Sequence, residues 1–398
     1  MKESFFAKLR RIRPGDIGHF FLFLFALLPA AIYKRRRKHL WLLCEYAAEA
    51  QDNAFALYRH LRLQHPEIDA VYAISRRSPA YETVAALGPV VPFGSFRHWM
   101  YYLSAEVNIS SQKGGKPNAA VCYLFEVVLG WLKNRRVFLQ HGVIKDDLPY
   151  LYAPVTGFSL FCCAARPEFE YVRDTFGYAP GVVRLLGLCR FDALLDATPD
   201  PELVLILPTW RMWLERDCRT AEAFRNSEYY RGWQAFLNDP ALDGLLKATG
   251  KRAIFCAHRN VSRFEACFTS ASERIAVKKW NEVDVPALLK TAAALVTDFS
   301  SVYMDFAFMK KPVVYYQFDR ETYRKGHLPT GYFDYARDGF GPIAETVPDA
   351  VKALLKVTER GMRLAPEYEA RVDRFFPLRD ANASERTTEA IKELIGNR

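Results

Sequence analysis

Apolar residues in this chain fall in short continuous runs, and stretches with helical spacing separate them from about residue 40 onward. "WLLCE" (41–45), "AVYAIS" (70–75), "PVVPF" (89–93), "AEVNISS" (105–111), "RRVFLQHG" (135–142), "LFCCAA" (160–165) and "VVRLLG" (182–187) read as strands. Between the first two, residues 48–65 carry apolar positions at helical spacing and stop before Pro66. The second half restarts the pattern with "PELVLILPTWR" (201–211), "RAIFCAH" (252–258), "ERIAVK" (273–278), Ala292 to Val296, and Val313 to Tyr316. Apolar strands alternating with helices predict parallel sheets covered on both faces, an α/β fold. The polar stretch "DATPDP" reads as a linker, so a domain boundary is expected near 188–200.

Residues 1–38 differ in character. Lys8, Arg10, Arg11 and Arg13 precede the apolar run 17–32, and "KRRRK" (34–38) follows it. The run has 16 residues and contains Pro29, short of the ~20 needed to span a bilayer. Basic residues on both sides hold both ends at an anionic surface, which predicts a monotopic, in-plane or re-entrant anchor at the cytoplasmic face of the cell membrane. A transmembrane span and a signal peptide are the competing readings. The Lys/Arg cluster directly after the run disfavours export.

Composition narrows the partners. The chain has 398 residues, half of them hydrophobic, and a net charge of +10, so two filled cores are expected rather than disorder. The charge suits nucleic acid, an anionic membrane or an anionic substrate. No nucleic-acid-binding module accompanies it, so membrane and phosphates are the expected partners and nucleic acid is not. The eight cysteines show no CxxC pair and no metal spacing with histidine. They read as buried small hydrophobes of a reducing compartment.

Chemistry gathers at strand ends. The stretch 295–319 reads strand, serine-rich loop, short helix, turn, strand, with Asp298, Ser300 and Ser301 at the loop. A helix start beyond the carboxyl end of a parallel strand offers unpaired N–H groups to an anion, and a diphosphate is the natural guest. On spacing alone, either serine also reads as a plain N-cap. His141, followed by Gly142, ends one strand, where a histidine serves as a general base or merely as a structural residue. His258 ends another strand, and Arg211 closes "PTWR", where a guanidinium suits phosphate. Asp305 and Asp319 read as structural partners, and His19, His39, His60, His65, His98 and His327 as surface residues. No strand-end Asp pair suits Mg²⁺ and no His/Cys cluster suits zinc, so no metal or other cofactor is expected in the chemistry.

Four motifs occur together: "QHGVIKDD" (140–147), "LPTWR" (207–211), "TDFSSVYMDFAFMKKPVVYYQFD" (297–319) with "GYFDY" and "GPI" after it, and "DANASERTTEAI" (380–391). In this order they resemble the signature of the CDP-glycerol glycerophosphotransferases, bacterial enzymes that build teichoic acids and related polyol phosphate polymers. The resemblance covers about two-thirds of the chain. It implies a GT-B-like architecture of two Rossmann-like domains facing a cleft. The expected division is a membrane-associating segment (1–38), an acceptor domain (39–190) and a CDP-polyol-binding domain (191–398).

The resemblance also implies residue roles. His141 would activate the acceptor hydroxyl, and His258 would hold donor phosphates or assist the leaving group, although "HRNV" departs from the usual flanks. Gly142, Lys145, Thr209, Arg211, Asp298, Ser300, Ser301, Ser384 and Arg386 are carried over as substrate-binding residues. Lys145 keeps the motif's lysine, whereas the "VI" before it departs from the more usual Pro-Leu. The implied reaction moves glycerol phosphate from CDP-glycerol to a hydroxyl of a lipid-linked saccharide or polyol phosphate acceptor, releasing CMP. A CDP-ribitol donor, a GT-B glycosyltransferase using a nucleotide sugar and a silent membrane scaffold are the alternatives. The chain's length fits a primase better than a long polymerase.

Overall fold

The apolar runs fold as two all-parallel sheets in a computed structural model that describes residues 13–113, 115–326 and 329–396. Lys8, Arg10, Arg11 and His327, named above, lie outside the described residues. The first sheet contains β1 (Trp41–Cys44), β2 (Ala70–Ile74), β3 (Val90–Pro92), β4 (Val107–Ser110), β5 (Arg135–Phe138), β6 (Leu160–Cys163) and β7 (Val183–Leu185) in the order β3-β2-β1-β4-β5-β6-β7. The second contains β8 (Asp200–Ile206), β9 (Arg252–Cys256), β10 (Ile275–Lys278), β11 (Ala292–Thr297), β12 (Val313–Tyr316) and β13 (Ile343–Ala344) in the order β10-β9-β8-β11-β12-β13. In each, the chain builds outward from a central strand and then crosses back to build the other half. This is the doubly wound, Rossmann-like order, with switch points at β1/β4 and β8/β11.

The chain divides into two compact units: Met1–His141 with Pro149–Asp192 and Asp380–Arg398, and Gly142–Leu148 with Ala193–Arg379. The expected single cut at 190/191 misses two exchanges. The terminal helix α5 (Ala383–Gly396) joins the first unit because Ala390 and Ile391 bury among Leu57, Leu61 and Val137. Asp192 receives the backbone N–H groups of Ala383 (2.8 Å) and Ser384 (2.9 Å), satisfying the start of that helix. Gly187 (φ +88°) admits it closely, since a Cβ there would lie 2.8 Å from the Ala383 Cβ. In the other direction, residues 142–148 join the second unit. Asp147 donates its N–H to the Pro329 carbonyl, and Gly331 has no side chain to collide with the Lys145 carbonyl, 2.5 Å from an added Cβ.

The N-terminal helix α1 (Pro14–Arg36) runs uninterrupted through Pro29. Proline fits its first turn, where no N–H is required, and Asp16 accepts the Arg13 N–H at 2.8 Å. One stripe, Phe23, Ala26 and Ala30, is buried. The Phe23 ring stacks on Phe125 (centroids 4.1 Å) and meets Trp99 of α3 (Phe96–Ser104) edge-on at 5.4 Å. The opposite face leaves Phe21, Leu24, Phe25, Leu28 and Ile32 in the open. At 23 residues, or ~34 Å, the helix is longer than the apolar run suggested, and by length and composition it can cross a membrane. All eight cysteines are free and buried.

Candidate functional site

In the first unit, β5 stops at Phe138, earlier than the apolar pattern implied, because Gln140 adopts a left-handed conformation (φ +66°) that turns the chain. That costly backbone is held by burial. The Gln140 amide donates to the Cys162 carbonyl (2.5 Å) and to Glu168 (3.1 Å), and its carbonyl receives the Asn53 amide at 2.9 Å. The turn sets His141 outward beside Asp52, whose Oδ2 lies 2.6 Å from Nδ1 of the ring. Asp52 is the N-cap of helix α2 (Asn53–Gln64), and its other oxygen approaches the Arg190 Nε at 3.4 Å. A carboxylate on Nδ1 fixes the tautomer in which Nδ1 carries the proton, so Nε2 is the basic nitrogen. Gln112, after β4, also brings its amide nitrogen to 2.9 Å from Nδ1, but the shorter, charge-assisted contact to Asp52 decides which group that nitrogen bonds.

Beneath this pair lies Glu45, at the carboxyl end of β1 and fully buried. It accepts the backbone N–H groups of Gln51 (3.0 Å), Asp52 (3.1 Å) and Phe55 (2.8 Å). Burial, and then the neighbouring charge of Asp52, push its carboxyl pKa up to about 7. The sequence hid both acids. The helical pattern extended to residue 48, which placed Asp52 inside the helix rather than at its cap.

In the second unit, the ends of β8 and β11 meet at the switch point. The Leu207 N–H donates to the Val296 carbonyl and the Thr297 hydroxyl to the Leu207 carbonyl at 2.6 Å. Asp298 then receives the N–H groups of Thr209 (2.8 Å) and Phe299 (2.6 Å). Arg211, expected to grip phosphate, is 0% exposed. Its Nε and Nη2 meet Asp319 at 2.7 and 2.8 Å, and Nη1 meets Asp298 at 2.9 Å. Tyr229, Phe299 and Tyr323 surround the guanidinium within 5.2 Å. Burial alone would lower the pKa of Arg211, but the two carboxylates outweigh it and hold the group above its ordinary value. Burial raises that of Asp298, and Arg211 offsets part of the rise. Arg211 and Asp298 therefore brace the loops that carry Thr209 and Ser300, both buried, and the exposed Ser301.

Ser300 is buried and Ser301 exposed, just ahead of the six-residue helix α4 (Tyr303–Phe308). Both serines lie in the loop, and neither is the N-cap of the helix, since Val302 holds that position without a side-chain cap hydrogen bond. His258 follows β9 and caps a 3-10 segment, its Nδ1 receiving the Asn260 N–H at 3.2 Å. It lies between the indoles of Trp210 (6.3 Å) and Trp280 (5.8 Å), the second of which sequence reasoning missed.

Three further residues carried over as substrate-binding have protein partners of their own. Lys145 is buried, with its ammonium on Asp146 (2.6 Å) and over the Tyr335 ring at 5.8 Å. Ser384 and Arg386 belong to the first unit, and Thr209, Ser300 and Ser301 to the second. The Arg386 guanidinium is taken by Asp380 (2.7 Å) and the Leu186 carbonyl (2.9 Å), and Ser384 is buried under α5. Gly142 opens the 142–148 segment of the second unit.

Comparison with known proteins agrees with this architecture. The chain is 29% identical over 375 residues to the minor teichoic acid biosynthesis protein GgaB of Bacillus subtilis, covering 91% of this chain and 40% of that protein. It is 37% identical over 112 residues to a teichoic acid glycerol-phosphate transferase of Staphylococcus aureus, 27% of this chain and 28% of that one. The chain thus spans well under half the length of these curated relatives. In fold it resembles the wall teichoic acid polymerase TagF (TM-score 0.66, 16% identity, 99% of both chains) and, less closely, a UDP-N-acetylglucosamine 2-epimerase (TM-score 0.56, 12% identity, 90% and 96%). The family model of the CDP-glycerol:poly(glycerophosphate) glycerophosphotransferases matches residues 189–393, which include Thr209, Arg211, His258 and the Asp298–Ser301 loop, and the chain belongs to that family.

Proposed function

We propose that this chain transfers glycerol phosphate from CDP-glycerol to a hydroxyl of a lipid-linked saccharide or of a growing polyol phosphate, releasing CMP. The observation that carries the reading is Asp52 on Nδ1 of His141. A silent scaffold has no use for a strand-end imidazole whose tautomer is set by a buried carboxylate. The acceptor hydroxyl gives its proton to Nε2 of His141 while its oxygen attacks the phosphorus that bears glycerol. The bond from that phosphorus to the bridging oxygen breaks, CMP leaves with the electron pair, and a phosphodiester results. Asp52 keeps the Nδ1 proton and stabilises the imidazolium. On the second unit, Thr209, Ser300, Ser301 and the nearby backbone N–H groups bind the diphosphate, and His258 steadies the leaving phosphate. Arg211 and Asp298 hold those loops in place. Support for the donor comes from family membership and from TagF, a structure of which followed a soak with CDPG.

The membrane reading is an in-plane one. Phe23, Ala26 and Ala30 of α1 are committed to the first unit, so a bilayer is left the Phe21, Phe25 and Leu28 face. Trp131, 70% exposed, sits 5.5 Å from Phe125, which itself stacks on Phe23. An exposed indole beside an apolar face and the basic end 34–38 fits the interfacial zone of an anionic leaflet.

CMP release decides the activity. Detergent-purified protein with a lipid-disaccharide acceptor is expected to release CMP from CDP-glycerol, and His141→Ala is expected not to. Release from CDP-ribitol alone would move the donor to ribitol. Release only from a nucleotide sugar would overturn the reading in favour of glycosyl transfer.

A further inference from the structure

His60, on α2, and His65, which caps its carboxyl end, meet Glu385 of α5 across 320 residues of sequence. Nε2 of His60 lies 2.9 Å, and Nε2 of His65 2.8 Å, from the same carboxylate oxygen. All three donor atoms fall within 4.8 Å of one another. Spacing alone left both histidines as surface residues, because the third member arrives only when α5 returns to the first unit.

We propose that His60, His65 and Glu385 form a divalent transition-metal site, of the class that takes Zn²⁺ through two imidazoles and one carboxylate. Tetrahedral zinc places its nitrogen and oxygen donors ~2.0–2.2 Å from the ion and therefore ~3.3 Å apart. The two histidine–carboxylate separations fall about half an ångström short of that, the two imidazole nitrogens lie within 4.8 Å of each other, and the half-exposed Glu385 side chain can open the short pair by a small rotation. Nε2 is the nitrogen each ring turns toward the carboxylate, and Nδ1 of His65 meets Glu67 at 3.2 Å. A carboxylate behind a ligand imidazole fixes its tautomer and raises its basicity, the arrangement usual around protein-bound zinc. Lys392 is the opposing charge on α5, and Glu389 takes its ammonium at 2.8 Å. The site is not catalytic. On α2, His60 and His65 follow the Asp52 cap beside His141 by roughly two and three and a half turns, so ~12 and ~20 Å of helix lie between. Its effect is to fasten α5 to α2, the two elements whose apolar faces share the first unit's core.

Tag-free full-length protein, stripped with chelator, would be titrated with Zn²⁺ and with Co²⁺. One ion per chain is expected, with the visible bands of tetrahedral Co²⁺, a rise of about 5 °C in the first unit's unfolding midpoint at saturation, and CMP release unchanged. His60→Gln with His65→Gln should abolish the bands, and Glu67→Gln should weaken binding about 10-fold. In the wild type, Zn²⁺ should protect His60 and His65, and not His141, from diethyl pyrocarbonate, read by mass spectrometry. That measurement decides the matter if the variants fail to fold. Binding that survives the double substitution, absence of binding, or modification of His60 and His65 unaffected by Zn²⁺ would overturn the proposal.

Discussion

At the scale of single residues, the side chain of His141 is 68% exposed and takes its direction from Asp52, which is nearly buried. Asp52→Asn is the informative substitution. Asparagine still caps α2, so the fold should stand, but an amide cannot hold the Nδ1 proton against an imidazolium. The expected result is a kcat lower by about 10²–10⁴-fold, with KM for the donor and the unfolding midpoint unchanged. Loss of donor affinity instead would mean that Asp52 acts on binding. Glu45 gives a pH signature. Its folded pKa of about 7 exceeds the ordinary value of 4.5, so the folded state holds its proton more tightly than the unfolded one. The stabilisation is therefore complete below the unfolded pKa and disappears as pH rises through the folded one. Thermal unfolding of Glu45→Gln should lose that slope between roughly pH 4.5 and 7, a span on the order of 3 kcal/mol. An unaltered slope would show that Glu45 ionises normally.

At the scale of elements, the two faces of α1 predict opposite phenotypes. Phe25→Asp with Leu28→Asp changes side chains that are 70% and 71% exposed. Flotation with anionic vesicles should therefore fall at least ~10-fold while the unfolding midpoint holds. Phe23→Ala removes a buried ring from the Trp99–Phe125 contact and should cost about 3–5 kcal/mol in denaturant titration. Equal vesicle binding by the double variant would remove the membrane role from this face. The apolar runs made the strands legible, because a buried parallel strand must be apolar throughout. Their carboxyl ends were not legible, and those ends carry the chemistry. The turn at Gln140 depends on Cys162 and Glu168 for its hydrogen bonds, and Arg211 at the "PTWR" end depends on Asp319. No local pattern records partners so distant in sequence. Arg211→Met should accordingly cost about 3–5 kcal/mol by leaving buried acids unpaired, a loss of stability rather than of phosphate affinity alone.

At the scale of the whole chain, the doubled α/β pattern announced two sheets, but the membership of the units follows from side chains that meet only after folding. Residues 142–148 go to the second unit through the Asp147–Pro329 bond and Gly331. The terminal helix goes to the first through Asp192, Ala390 and Ile391. The motif at 380–391 therefore has a structural use as large as any it has in binding. Its serine and arginine spend their polar groups on the first unit, with Asp192, Asp380 and the Leu186 carbonyl as partners. A chain ending at Arg379 should keep the second unit's hydrogen-exchange protection at β8, β11 and β12. It should lose protection in α2, β5 and β6, whose apolar side chains share the core with α5. If both units lost protection together, the second unit would depend on α5 as well. If neither did, α5 would be dispensable to the first unit's core, and the burial of Ala390 and Ile391 would contribute little to its stability.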